Sequence, residues 1–155
     1  MDFELNLTTE SIDHAKIDPP LSVSPQTSLR DVLLTLKQHG EGSVLITDAE
    51  GRLTGIFTER DALGHLSGDC DLDVPIERVM VQKPDTVKNT DTVAAVIRRM
   101  SERKHRRIPV VDDDGRPTGV VKTSGIVHYL VEHFPQTVYN LPPNPNRGME
   151  EREGA

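Results

Sequence analysis

The stretch Glu50-Gly51-Arg52-Leu53-Thr54-Gly55 returns 64 residues later as Asp114-Gly115-Arg116-Pro117-Thr118-Gly119. Residues 20–66 overlay residues 84–130 without a gap, with nine identities and many exchanges of one apolar side chain for another. The match is clearest around this turn. We conclude that the chain contains two copies of one folding unit.

Each copy predicts the same order of elements. A short extended piece, Ser22-Val23 or Thr86-Val87, precedes a polar N-cap cluster and a segment with apolar side chains at helical spacing. Two apolar runs around an acidic, glycine-containing turn predict a β-hairpin, and a second helix follows at residues 59–66 or 123–133. The apolar stripes of the first helices are Leu29, Val32, Leu33 and Leu36, and Val93, Val96, Ile97 and Met100.

Neither copy carries enough apolar surface to form a stable core alone, whereas two sheets with one apolar face each can pack together. The predicted fold class is therefore α+β, with two β-α-β-β-α repeats packed sheet to sheet as one pseudo-twofold module. The predicted boundaries are a poorly anchored N-terminal arm at 1–16, repeats at 17–67 and 81–134, a linker with a short helix at 68–80, and a Pro-rich flexible tail at 135–155.

Composition and charge narrow the class of function. A net charge of −7, with three Phe, two Tyr and no Trp, argues against a dedicated nucleic-acid binder, because phosphate neutralisation needs cations and base stacking needs aromatic rings. The single Cys70 and the lack of a secretory signal predict a reducing, cytoplasmic setting. No run reaches the ~18 apolar residues of a spanning helix, so no membrane insertion is expected.

Motifs for metal binding and catalysis do not assemble. The sequence Asp69-Cys70-Asp71-Leu72-Asp73 begins like a calcium loop, but the later glycine and glutamate positions hold Val74 and Met80. His128 and Glu132 share a predicted helix face without the paired histidines of a zinc helix. With no nucleophile turn, P-loop or dinucleotide glycine motif, we expect a protein that is not an enzyme and requires no cofactor or metal.

The string Gly55-Ile56-Phe57-Thr58-Glu59-Arg60-Asp61 fits the signature Gly-apolar-x-Ser/Thr-x-x-Asp/Asn of cystathionine-β-synthase (CBS) domains. With the order of elements and the strands Ser43-Val-Leu-Ile and Arg107-Ile-Pro-Val-Val, it makes residues 17–134 resemble a tandem CBS pair, or Bateman module. The resemblance implies that an adenosine ligand (AMP, ADP, ATP or S-adenosylmethionine) binds in a cleft between the repeats. It also implies a homodimer and the regulation of a separate effector protein.

The signature residues suit such a ligand chemically. The Asp61 carboxylate can accept hydrogen bonds from ribose hydroxyls, and Thr58 would lie near the sugar or its phosphate at a helix N-terminus, whose dipole favours an anion. Thr-x-x-Asp is also a variant capping box, which occurs at many helices that bind nothing. The residues predicted to surround the nucleotide are Thr58, Asp61, Ile56, Met80, Asp85 and Thr86.

The second copy departs from the signature, with Lys122 in place of the hydroxyl and Gly125 in place of the carboxylate. A second nucleotide site is therefore expected to be degenerate. Its neighbourhood is basic, which predicts phosphate contacts or, alternatively, only a solvated helix end favoured by its dipole. The candidate phosphate contacts are Lys104, His105, Arg106, Arg107 and Lys122.

Two other functions compete with a nucleotide sensor. In the first, the paired repeats form a ligand-free scaffold for dimerisation and protein interaction. In the second, residues 103–107 bind single-stranded nucleic acid, which predicts a steep salt dependence and is disfavoured by the acidic charge and the scarce aromatics.

Overall fold

A computed structural model describes residues 9–133, which contain four α-helices and two β-sheets. The Pro-rich tail predicted at 135–155 and the first half of the N-terminal arm lie outside the described residues. The helices are α1 (Leu29–His39), α2 (Glu59–Leu66), α3 (Val93–Arg103) and α4 (Thr123–His133). The strands are β1 (Ile17–Asp18), β2 (Ser22–Val23), β3 (Ser43–Thr47), β4 (Leu53–Thr58), β5 (Val81–Gln82), β6 (Arg107–Val111) and β7 (Pro117–Lys122).

The two sheets confirm the predicted duplication, and each contains one short strand from the other repeat. One sheet has the order β2-β3-β4-β5 and the other has the order β1-β7-β6. Strand β1 opens the first repeat but pairs with β7 of the second, and β5 opens the second repeat but pairs with β4 of the first. The predicted strand at Thr86-Val87 is reduced to a single bridge between Val87 and Val110.

The helices of each repeat begin where the sequence places their caps. The Ser28 hydroxyl accepts a hydrogen bond from the Asp31 amide at 3.1 Å, and Thr92 does the same for Ala95 at 3.1 Å. Helix α1 ends at Gly40 in the left-handed conformation, and α3 ends at Lys104, which adopts the same conformation without being glycine. The apolar stripes are confirmed, because Leu29, Val32 and Leu36 are buried, as are Val93, Val96 and Met100.

The acidic turns owe their geometry to one aspartate and one glycine in each hairpin. One carboxylate oxygen of Asp48 accepts hydrogen bonds from two backbone amides across its turn, and Asp112 does so in the second copy. Gly51 and Gly115 both have φ near +82°, a conformation that favours glycine. The acidic run at residues 112–114 is thus a hairpin turn.

The core consists of three clusters. Each repeat packs its helices on the outer face of a sheet around side chains such as Phe57 and Ile108, both with no exposed surface. The third cluster lies between the sheets, where Leu45 and Ile56 of the first repeat meet Val120 of the second. The sheet-to-sheet packing is therefore as predicted.

Part of the N-terminal arm is anchored, contrary to the expectation. Ile12 is fully buried in the core of the second repeat, and its amide donates to the Asp91 carbonyl at 2.9 Å. The amide of Val93 donates in turn to the Glu10 carbonyl at 2.9 Å. Residues 10–12 thus contact the second repeat at the N-terminal end of α3.

The short helix predicted in the linker between the repeats is a 3-10 helix, Ile76–Arg78. Ile76 is fully buried in the core of the first repeat, so this segment is fixed to its surface. Across residues 9–133, no helix combines the length and the apolar character needed to cross a bilayer.

Candidate functional site

Thr58 and Asp61 form the predicted pair at the junction of β4 and α2. Thr58 is the N-cap of α2; its amide and hydroxyl both donate to Oδ2 of Asp61 at 3.0 Å, and its hydroxyl accepts from the Asp61 amide at 3.3 Å. The capping-box interpretation is therefore confirmed. Capping uses only one carboxylate oxygen, and Oδ1 of Asp61 accepts no hydrogen bond from the residues that the structure describes.

The second copy replaces this pair by an ion-paired lysine. The ammonium of Lys122 lies 2.8 Å from a carboxylate oxygen of Asp18 on β1 and 3.1 Å from one of Glu41, just before β3. All three side chains are partly buried, with exposed fractions of 23%, 25% and 33%. They line a polar cavity of about 430 Å³ with Ser124 and Gly125, which we call the second cleft.

The duplication locates the corresponding first cleft. Lys122 corresponds to Thr58, and Glu41 corresponds to His105, each at the 64-residue offset. Since Glu41 of one repeat reaches the N-terminus of the helix in the other, His105 is expected to lie over Thr58. We define the first cleft as Thr58 and Asp61, strand β5, and residues 104–106 before β6.

Strand β5 enters the first cleft one residue out of step with β1. Asp18 pairs with Val120, whereas the position equivalent to Val120, Ile56, pairs with Val81 rather than with Gln82. Val81 therefore takes the place that Asp18 holds in the second cleft, and its side chain is 48% exposed. The first cleft thus presents an apolar side chain where the second presents a carboxylate.

The packing of Met80 accounts for this shift. A Cβ atom on Gly55 would lie 2.3 Å from Sδ of Met80, just as a Cβ on Gly119 would lie 2.3 Å from Cγ2 of Ile17. Met80 thus fills the site over Gly55 and joins the core of the first repeat, and the next residue, Val81, is left exposed. Sequence reasoning missed Val81, because the 64-residue offset places Gln82 at this position.

The remaining predicted nucleotide contacts have defined places. Ile56 is 8% exposed and packs between the sheets. The Asp85 carboxylate receives Nη1 of Arg103 at 3.0 Å from both oxygens and Nε2 of His105 at 3.0 Å. The Thr86 carbonyl accepts a hydrogen bond from Arg99.

The predicted phosphate contacts are divided between different environments. Lys104 and Arg106 are exposed and form no ion pair with the described residues. Arg107 is partly buried between the repeats, where Nη1 donates to the Gly42 carbonyl at 3.3 Å and Nε has no hydrogen-bond partner among the described residues. Lys122 lies in the second cleft, where it forms ion pairs with Asp18 and Glu41.

Within the described part of the chain, no three His, Cys, Asp or Glu side chains gather as a metal site requires. Another cavity, of about 560 Å³, lies between α1 and α2 and is lined by residues such as Leu33 and Leu63. Neither Thr58 nor Asp61 lines it, so it is distinct from the first cleft.

We expect the Lys122 ion pairs to stabilise the fold until lysine deprotonates. The hydrogen bond to Asp18 raises the pKa of Lys122, burial opposes this, and the bond to Glu41 adds to it. A raised folded-state pKa means that the contribution is complete below the ordinary value of 10.5 and is lost as the pH rises above it. Lys122→Met should therefore lower the unfolding free energy by about 1.5–3 kcal/mol near neutral pH, the usual range for a hydrogen bond to a charged group.

Urea denaturation of both proteins across a pH series measures this difference, with Lys37→Met on the exposed side of α1 as the control. The gap between wild type and Lys122→Met should narrow above pH 10.5. A gap that stayed constant there, or one matched by the control, would show that the ion pairs do not stabilise the module.

The second cleft has no room for a side chain at Gly125, the position that corresponds to Asp61 of the signature. A Cβ at this position would lie 2.7 Å from the backbone carbonyl oxygen of Lys16, which leads into β1. Gly125→Ala should therefore cost about 1–3 kcal/mol of unfolding free energy, the usual cost of overpacking. Gly64→Ala on α2 is the matched control, because its Cβ would meet nothing within 4 Å. It should be stabilising by about 0.5–1 kcal/mol. Thermal unfolding that ranked the two substitutions equally would contradict this contact.

Several known proteins share this architecture. The uncharacterized protein MK0525 of Methanopyrus kandleri is 33% identical over 113 residues, which are 70% of this chain and 58% of that protein, so the chain spans less than two thirds of this relative. The structure of the CBS domain protein PAE2072 from Pyrobaculum aerophilum complexed with AMP is 25% identical, with a TM-score of 0.68, over 83% of this chain and 95% of that one. The CBS domain pair of protein MJ0100, in complex with 5-methylthioadenosine and S-adenosyl-L-methionine, is 27% identical, with a TM-score of 0.69, over 77% of this chain and 98% of that one.

The family model of the CBS domain matches twice, at residues 13–68 and 76–132. These ranges coincide with the two halves of the pseudo-twofold structure and together exceed half of the chain. The resemblance drawn from the signature at residues 55–61 is thereby confirmed. The chain belongs to the CBS domain family and contains a tandem pair of CBS repeats.

Proposed function

We propose that the chain is a non-catalytic regulatory module that binds an adenosine-containing ligand in the first cleft and signals to a separate effector protein. The observation that carries the proposal is the Asp61 carboxylate, which holds one oxygen in the cap of α2 and leaves Oδ1 for a ligand. Two similar CBS structures contain AMP, or methylthioadenosine with S-adenosylmethionine, and these ligands share an adenosyl group.

The chemistry of the first cleft matches that shared group. Oδ1 of Asp61 can accept a ribose hydroxyl, and the exposed Val81 offers an aliphatic surface for adenine. The backbone amides at the start of α2 and its dipole favour a nearby phosphate. These groups bind the part that AMP, ADP, ATP and S-adenosylmethionine share. The preference among the four ligands therefore depends on the residues around the 5′-substituent.

The two clefts are expected to differ in occupancy. The second cleft lacks a carboxylate at the position of Asp61, which would bind ribose. Its Lys122 is paired with Asp18 and Glu41, and the backbone of Lys16 leaves no room for a side chain at Gly125. A nucleotide there would have to separate ion pairs without gaining the contact to Asp61. We therefore propose one ligand per chain, with the second cleft acting as a polar lock between the repeats.

A homodimer remains part of the proposal. Leu63 on α2 and Val127 on α4 occupy equivalent positions in the two repeats and are 71% and 54% exposed. Equivalent apolar side chains on both repeats suit an isologous contact between two copies. Light scattering tests this proposal. Wild type should have the mass of a dimer and Leu63→Glu a lower mass, whereas equal masses of the two proteins would contradict the contact.

A ligand-free scaffold is the second candidate, and one observation favours it. The Thr58–Asp61 pair already has a structural role as a helix cap, so its presence does not require a ligand. Binding of single-stranded nucleic acid is less favoured than from sequence alone, because Arg103, His105 and Arg107 donate to partners inside the chain.

Calorimetric titration of the purified chain with AMP, ADP, ATP and S-adenosylmethionine separates the sensor from the scaffold. The proposal predicts saturable binding of at least one of these ligands, with one site per chain. Heats of dilution alone for all four ligands, from a folded protein, would leave the scaffold as the better account.

A further inference from the structure

Asp85 is the hydrogen-bond partner of two basic residues beside the first cleft. Its two carboxylate oxygens lie 3.0 Å from Nη1 of Arg103, and one of them also lies 3.0 Å from Nε2 of His105. The Asp85 side chain is 27% exposed, whereas those of Arg103 and His105 are 61% and 45% exposed. The acid is therefore the inner member of the cluster, and the two basic groups converge on it from outside.

The position of this cluster relative to the cleft follows from the duplication. His105 is the counterpart of Glu41, which contacts the residue at the start of the facing helix in the second cleft. Asp85 therefore binds the group that the internal symmetry places nearest to Thr58. The exposed Lys104 and Arg106 flank His105 and have no carboxylate partner among the described residues.

We infer that Asp85 is a specificity-determining residue of the first cleft, which sets how much a phosphate on the ligand contributes to its affinity. This inference rests on the proposed function. Asp85 acts as an internal anion: it pairs with the Arg103 guanidinium, holds a hydrogen bond to His105, and repels a second anion that approaches the same groups. A ligand whose 5′-substituent is uncharged meets neither effect, because it makes no demand on the two basic side chains.

The electrostatic argument gives the direction of the effect. A carboxylate at hydrogen-bond distance satisfies the donors of its basic partners, so a phosphate must displace it or bind in its field. Removing the charge on Asp85 leaves the donors of Arg103 and His105 to the phosphate. The affinity for AMP should then increase, while that for 5′-methylthioadenosine, which has the same adenine and the same ribose 2′- and 3′-hydroxyls but a methylthio group in place of the 5′-phosphate, should not.

The test compares AMP with 5′-methylthioadenosine on wild type, Asp85→Asn and the control Asp73→Asn. Asp73 pairs with Arg30 at 3.5 Å on the linker side of α1, so its replacement changes the net charge equally without touching the cluster. We expect Asp85→Asn to increase the ratio of AMP affinity to methylthioadenosine affinity about tenfold, the effect of one charge-assisted hydrogen bond. Asp73→Asn should leave the ratio unchanged.

Each other outcome overturns a defined part of the account. An unchanged ratio with intact methylthioadenosine binding would refute the role of Asp85 and leave the proposed function standing. Weaker binding of both ligands to a folded Asp85→Asn protein would show that Asp85 contacts the nucleoside itself, which also refutes the inference. Binding of neither ligand to wild type would remove the proposed function and the inference together.

Discussion

Replacing Asp61 with asparagine should weaken the binding of AMP at least about tenfold, because one hydrogen bond to a charged acceptor contributes roughly 1.5–3 kcal/mol. Asparagine keeps the shape of the side chain and one acceptor oxygen, but it loses the charge and the second acceptor. In the folded protein Oδ2 accepts the hydrogen bonds of the α2 cap, so the remaining oxygen of asparagine is expected to take that place. The amide nitrogen, which cannot accept a hydrogen bond from ribose, would then replace Oδ1. Calorimetry on the two proteins measures the difference.

Asp31→Asn provides a matched control for the effects of a lost helix-end charge. Asp31 lies three residues after the N-cap Ser28 of α1, as Asp61 lies three residues after Thr58. Both aspartates are in a first helical turn, where a negative charge is stabilising by up to about 1 kcal/mol. Asp31→Asn should therefore resemble wild type in AMP affinity and lose less stability than Asp61→Asn, because only the Asp61 carboxylate also accepts two hydrogen bonds in its helix cap. Equal affinities of all three proteins would place the ligand elsewhere.

Phe57→Ala should produce the largest loss of stability, about 3–5 kcal/mol of unfolding free energy. Phe57 is the largest side chain with no exposed surface; it lies between the sheet and helices of the first repeat, and its ring stacks on His65 at a centroid distance of 6.3 Å. Its removal leaves a cavity between the sheet and the helices of the first repeat. Chemical denaturation at neutral pH measures this loss.

The same experiment tests whether the repeats behave as one module. Because Leu45 and Val120 join the sheets in a common cluster, destabilising one repeat should lower a single shared transition. Gln38→Ala, at an exposed position of α1, should change the free energy by no more than about 0.5 kcal/mol. Two separated transitions in Phe57→Ala would contradict the shared core.

The fold was predictable because its signals are local and occur twice. Apolar spacing identified the helices, and an aspartate with a glycine identified each hairpin turn, where both residues act through nearby backbone amides. The unequal clefts were predictable for the same reason. Lys122 and Gly125 occupy positions that the first copy fills with Thr58 and Asp61, so the comparison needed no coordinates.

Features that depend on contacts between distant segments were not predictable. The exchange of β1 and β5 between sheets joins short strands to partners far along the chain, and a two-residue strand carries almost no signal of its own. The one-residue shift that exposes Val81 depends on how Met80 fills the space over Gly55. The burial of Ile12 likewise follows from a surface that exists only after the second repeat has folded.

A sensor must also convert binding into a change that a partner can detect. A ligand moves a conformational equilibrium only by its difference in affinity for the two states. The first cleft joins groups from both repeats, and the Lys122 ion pairs connect the same repeats on the other side. The Lys122 ion pairs should therefore influence how far the repeats move when a ligand binds in the first cleft. The conformational response to ligand can be compared in wild type and Lys122→Met to test this influence.

The central claim is that an adenosine ligand occupies the first cleft and leaves the second one empty. Backbone hydrogen exchange with and without saturating AMP tests it most directly, because the chain carries its own control in the duplicate helix end. The account predicts slower exchange at residues 58–62 and unchanged exchange at residues 122–126. Protection confined to residues 122–126, or no protection at either helix end, would contradict it.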